Sequence, residues 1–174
     1  MAKKRTNPNR IPMAKREIKA DELLNDTTMQ NQSWRAFLLI APGLMEQGMS
    51  LEDVRQVWDE AIAFIRTPEA ETDALNRSIA EMQQTLGVEP PYRNLNTKYV
   101  TSRAALETLR RKIHRNSMHI AVCILCISLE RAGRLDVEQL RKLYLNAMLT
   151  EAEIEAGVTS YEAIEKEAHI RGAV

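Results

Sequence analysis

Apolar residues recur along this chain every three to four positions, the spacing of one face of an α-helix, and the runs are broken by glycine, proline and short polar residues. The set Trp34, Phe37, Leu38, Ile40 and Leu44 predicts a helix over about 28–47, with a kink where Pro42 deletes a donor and crowds the carbonyl of Leu38. Leu51, Val54, Val57, Trp58, Ile62 and Ile65 fit a second helix, opened by Ser50 with Asp53 three residues on in the manner of a capping box. Thr67 and Pro68 stop it and start a third, which Gly87 ends after Leu86. Between Gly87 and Val100 the stretch Glu89-Pro90-Pro91-Tyr92-Arg93-Asn94-Leu95-Asn96 has no helical period and reads as the longest ordered loop.

Thr101 or Ser102 opens the longest predicted helix, which runs to about Ala132. Its second half, Met118 to Leu129, is apolar on nearly every face and is expected to lie at the centre of the fold. Gly133 ends it and Asp136 caps a helix to Leu149. Thr150 is read as opening a short helix that ends at Gly157, and Ser160 as opening a last one through Ile170. A marginal polar helix is expected over Met13 to Leu24. The fold class expected is therefore all-α: a compact bundle of about six to seven helices.

Part of this pattern occurs twice. Gly48, Glu52, Arg55 and Ala61 align with Gly133, Glu138, Arg141 and Ala147 when one residue of slack is allowed after the glycine. Each copy is an apolar helix stopped by glycine, a short turn, a polar cap and a second amphipathic helix. Two related helical hairpins around a long central helix follow from the pattern. Shared stops and caps alone would also generate such a match, so it implies the architecture and leaves ancestry open.

At 174 residues the chain suits a single domain over 13–174, preceded by an arm over 1–12 that Asn7-Pro8-Asn9 and Ile11-Pro12 keep from forming a helix. Zero net charge conceals a separation. Residues 1–19 carry seven basic side chains against Glu17, a net +6, which leaves 17 basic against 23 acidic, a net −6, in the remainder. A flexible basic arm is thus joined to a mildly acidic body. No apolar run approaches the roughly 18 residues of a membrane span, so no membrane partner is expected. Cys123 and Cys126, the only cysteines, fall in the most apolar helix, which argues for reduced, buried thiols and a cytoplasmic setting.

His119, Cys123 and Cys126 share a helical stripe, but together they span roughly 10 Å of rise, too far for one ion held about 2.0–2.3 Å from each ligand. No second cysteine pair closes a tetrahedron, so neither a metal nor a cofactor is expected. His114, His119 and His169 form no nucleophilic triad the sequence supports, and phosphate-binding glycine loops are absent. A non-enzymatic role follows. Two basic clusters remain: Lys3, Lys4, Arg5 and Arg10 on the arm, and Arg103, Arg110, Arg111, Lys112 and Arg115 on the long helix, opposed there by Glu107. Such density suits phosphates, since each neutralised phosphate releases counterions. The same arginines also suit a solvent face paired with the acids of the body. Aromatics at 5% are too few for a base-stacking RNA surface.

The opening Lys4-Arg5-Thr6-Asn7-Pro8-Asn9-Arg10-Ile11-Pro12 resembles the start of many short accessory proteins of bacterial phages and prophages. That resemblance implies an intracellular protein that works by binding another macromolecule. The expected function is a non-enzymatic helical interaction protein that binds a protein partner, with a homodimer as one expected form. The contacts are placed at Lys3, Lys4, Arg5, Arg10, Tyr92, Arg110, Arg111 and Arg115. The alternative is a phage nucleic-acid-binding regulator using the arm and the Arg103–Arg115 face.

Overall fold

A computed structural model describes residues 29–65, 73–92 and 102–168. The helices are α1 (Met29–Glu46), α2 (Leu51–Ile65), α3 (Asp73–Leu86), α4 (Arg103–Arg131), α5 (Val137–Glu155) and α6 (Tyr161–Glu167). Among the described residues there is no strand. The all-α expectation holds, with six helices in the described part. The arm and the predicted Met13–Leu24 helix lie outside the described residues, as does the Thr67–Pro68 junction.

The 29-residue α4 is the axis of the bundle. At 1.5 Å per residue it is about 43 Å long. Every residue from Ala121 to Leu129 is buried, and Ile120 is the one position between Met118 and Leu129 that reaches the surface. That burial on all faces follows from its neighbours: α1, α2, α3 and α5 all pack on α4, while α1 also packs on α5 and α6. α1 runs on through Pro42 to Glu46. Its aromatic pair Trp34 and Phe37 meets Trp58 of α2, with ring centroids 5.2–5.4 Å apart.

The two hairpins correspond bond for bond at their turns. Gly48 closes α1 with φ +88° and Gly133 closes α4 with φ +62°, backbone angles that favour glycine. In the first, Gly48 N–H donates to the Met45 carbonyl and Met49 N–H to that of Leu44; in the second, Gly133 donates to Glu130 and Arg134 to Leu129. A reciprocal cap follows each time. Asp53 N–H donates to Ser50 Oγ while Ser50 N–H donates to Asp53 Oδ2, and Gln139 and Asp136 do the same. The buried positions then repeat: Val54, Val57 and Ala61 in α2 match Leu140, Leu143 and Ala147 in α5, all at most 1% exposed.

One expected boundary is wrong. No helix ends at Leu149; α5 continues unbroken through Thr150 to Glu155. Thr150 resembles a cap by residue type, but neither glycine nor proline stops the ladder there. In the continuing turn Glu151 is buried and bonded to His114 and Tyr161, contacts that the uninterrupted helix makes possible. Gly157, with φ +73°, supplies the actual stop, and Ser160 caps α6 as expected.

Candidate functional site

Residues 88–92 run from the end of α3, beside Arg141 of α5, to Asn116 of α4. They are fixed at Tyr92, whose N–H donates to Asn116 Oδ1 (3.0 Å) and whose carbonyl accepts from Asn116 Nδ2 (2.8 Å). Upstream, Arg141 of α5 donates to the carbonyls of Leu86 (2.9 Å) and Thr85 (3.3 Å), tying the end of α3 to the start of α5. The segment thereby forms one wall of a groove whose other walls are α4 and α5.

Arg115 stands at its centre. Arg115 Nε donates to both carboxylate oxygens of Glu155, at 3.0 and 2.9 Å, and Nη2 makes a further short contact with the same group. Nη1 lies 3.4 Å from the Tyr92 hydroxyl, while Lys112 sits 5.3 Å above the Tyr92 ring. The bond from Arg115 holds the Glu155 carboxyl below the usual carboxylate range, helped by the charges of His114 and Arg111. Reciprocally, Glu155 raises the guanidinium above its usual value. This pair is ionised at any ordinary pH.

A second carboxylate lies underneath. Glu151 is 5% exposed, and its two oxygens meet His114 Nε2 at 2.6 Å and the Tyr161 hydroxyl of α6. Burial, followed by the bond to Glu151, raises the Tyr161 phenol, which therefore stays protonated and donates. Arg35 of α1 stacks on the outer side of Tyr161, 5.1 Å from the ring centroid. Deeper still, His119 is fully buried between Tyr144 Oη (2.5 Å from Nδ1) and Gln83 Nε2 (2.7 Å from Nε2). Gln83 Nε2 can only donate, so His119 Nε2 accepts from it and the ring N–H is on Nδ1, facing Tyr144 Oη; burial lowers the His119 pKa in keeping with this.

The structure brings some of the expected contact residues together. Tyr92 and Arg115 touch, and Arg110 and Arg111 line the same groove as His114 and Arg115. Arg110 is 3.5 Å from Glu107 on its own helix. Lys3, Lys4, Arg5 and Arg10 lie outside the described residues. Sequence reasoning missed Glu151, Glu155, Tyr144 and Tyr161. A signal for the α5 members existed: Tyr144, Met148, Glu151 and Glu155 fall on one stripe at helical spacing, provided the helix is carried past Thr150. The pairing of that stripe with His114 and Arg115, 37 and 40 residues away, is set by tertiary packing and left no local trace.

Cys123 lies 3.9 Å from His119 Nε2, but no group of three metal-ligating side chains occurs among the described residues. Burial raises the Cys123 thiol to about 12 and Cys126 higher still. The lining of the groove includes no serine, threonine or cysteine among the described residues. What it offers a ligand is charge, hydrogen bonds and apolar wall. Among the described residues no helix is long and apolar enough to cross a membrane. Comparison of the chain with known protein families, with characterised proteins and with solved structures gives no match.

Proposed function

We propose that the protein acts without catalysis, by binding another protein through the outer stripe of α5 and the basic edge of α4 beside it. The observation that carries this reading is the exposure of Leu145 (55%) and Leu149 (61%), one helical turn apart. The corresponding positions of the first hairpin are Asp59 and Ala63, so the second hairpin has leucines where the first meets water with a charge and a methyl. A single exposed leucine needs no explanation. Two stacked on one face, continued by exposed Ala152, make the anchor spacing of helix-in-groove recognition. Arg110 and Arg111 border Ala152 and Ala156, which favours a partner segment carrying carboxylates.

The test replaces both leucines, as Leu145→Asp with Leu149→Asp, and follows a partner cross-linked from a photoreactive group at Ala152. Loss of that cross-link with an unchanged melting curve supports the reading, and an undiminished cross-link rejects it. A second copy of the chain as the partner would appear as a concentration-dependent dimer abolished by the same pair of substitutions.

The nucleic-acid reading rests on exposed Arg110 and Arg111. It is the weaker one, because Arg115, the cation best fixed in space, is committed to Glu155. It predicts salt-sensitive duplex binding that falls when residues 1–12 are deleted or Arg110 and Arg111 become alanine; binding indifferent to both changes rejects it.

A further inference from the structure

Two cavities meet at the Arg115–Glu155 pair. One, of about 460 Å³, is walled by Val88, Pro91, Met118, Tyr144 and Met148, with the carboxylates Glu89 and Glu151 also on its lining. The other, of about 630 Å³, is bordered by Arg110, Arg111 and His114. Arg115, Ala152 and Glu155 line both. Each volume falls in the range of small-molecule sites. The apolar chamber has a firm floor, since Met118 and Tyr144 are 0% and 5% exposed, while half-buried Met148 offers an adaptable thioether wall. At the junction a carboxylate is seated on the fork of Arg115, so the geometry there already receives an oxyanion. Alanine at 152 and 156 leaves the α5 side of that junction open.

We propose that this groove binds a single-chain amphiphile with a carboxylate or phosphate head, the tail lying between Met118 and Met148 and the head on Arg115 and Arg111 in place of the Glu155 carboxylate. The inference uses neither Leu145 nor Leu149, but it shares Arg111 and Ala152 with the protein-docking face. Its logic is additive. A tail alone gains only the burial of its own surface. A small anion alone must compete with Glu155, which is tethered in place and present at high effective concentration. A ligand carrying both meets the Met118–Met148 wall along its tail and Arg115 and Arg111 at its head.

The experiment uses the full chain with isotope-labelled methionine methyl groups, titrated with decanoate, decyl phosphate, decanol and inorganic phosphate below the concentrations at which the amphiphiles aggregate. The Met118 and Met148 methyls are expected to shift saturably with either anionic amphiphile, about tenfold more weakly with decanol, and not with inorganic phosphate. Arg115→Gln is expected to lower the anion affinity about tenfold and leave decanol unchanged. Glu155→Gln removes the competing carboxylate and is expected to raise it. Absence of saturable shifts, equal affinity for decanol and decanoate, or shifts confined to other methionines such as Met45 and Met82 overturns the proposal. If Arg115→Gln fails to fold, the outcome passes to Glu155→Gln, where weaker anion binding overturns it. Whichever of decanoate and decyl phosphate binds more tightly identifies the head group.

Discussion

Arg115 and Glu155, 40 residues apart in sequence, form a bidentate ion pair that ties the first half of α4 to the last turn of α5. The side chains are 46% and 22% exposed, so water screens part of their attraction. Replacing either by alanine is expected to lower stability by about 1 kcal/mol, the upper end for a pair so exposed. The double replacement should cost less than the sum of the single ones, because the first removes the partner of the second. Denaturant melts of the four proteins check this. Strict additivity would show that the two groups do not act as a unit.

The layer beneath is expected to matter more. Glu151 is buried and accepts from Tyr161, which anchors α6, and lies against His114 of α4. Glu151→Gln keeps the shape but removes the charge that both partners address. A loss of roughly 1.5–3 kcal/mol is expected, the scale of a buried hydrogen bond to a charged group. Since Tyr161 then donates to a neutral amide oxygen in place of a carboxylate, amide exchange across Tyr161–Glu167 should accelerate more than exchange in α4. Uniform acceleration everywhere would count against Glu151 as the anchor of α6.

His119 gives a pH dependence of definite sign. Burial lowers its folded pKa below the ordinary value of 6.5. Below about pH 6.5 the unfolded chain takes up a proton that the folded ring refuses, so this contribution is complete above that pH and declines as pH falls through it. The slope from one such group cannot exceed about 1.4 kcal/mol per pH unit. Stability curves of the wild type and His119→Gln are expected to diverge in slope between the ordinary histidine value and the carboxylate range. Parallel curves would mean that the ring is protonated in the folded state.

Much of this architecture is readable in one dimension. Glycine stops and reciprocal caps act within a few residues, so Gly48–Ser50–Asp53 and Gly133–Asp136–Gln139 announce two hairpins before any contact is known. Unbroken apolar character from Ala121 to Leu129 likewise announces the centre. The groove is legible only in part. Arg110, Arg111 and Arg115 stand out as a cluster, but their acids come from a stripe of α5 that a false stop at Thr150 cuts in two. A cap residue is a local preference, and the tertiary bonds of Glu151 to His114 and Tyr161 oppose it from a distance. Tyr92 could be singled out as the aromatic of the loop after Gly87, yet its anchor Asn116 lies 24 residues on, beyond any local rule.

The thiols report on the same core from a different direction. Cys123 and Cys126 are both 0% exposed, and the Cys123 thiol is pushed from 9.0 to about 12. In the folded protein the reactive thiolate of Cys123 is therefore depleted about a thousandfold at neutral pH relative to an ordinary thiol, before access is considered. Native alkylation is expected to be slow and to rise in parallel with denaturant unfolding. Fast labelling of either thiol in buffer would show that α4 is exposed on that face.

Gly43 of α1 packs against Leu143 of α5, and this contact sets the sharpest expectation for the core. A Cβ built on Gly43 would stand 2.8 Å from Leu143 Cδ1, closer than carbon atoms tolerate. Leu143 is 1% exposed, so its methyl has neighbours on every side and little room to swing away. In an unconstrained helix, glycine to alanine would stabilise by about 1 kcal/mol. Here overpacking opposes that gain and costs typically 1–3 kcal/mol. Gly43→Ala is therefore expected to be net destabilising, against its helix propensity. Leu143→Ala alone should cost about 2–5 kcal/mol through the cavity it leaves. Placed together, the new methyl enters the space the leucine vacates, so the double variant should be more stable than the sum of its parts predicts. A stabilised Gly43→Ala, or an additive pair, would place α1 further from α5 than the packing described here.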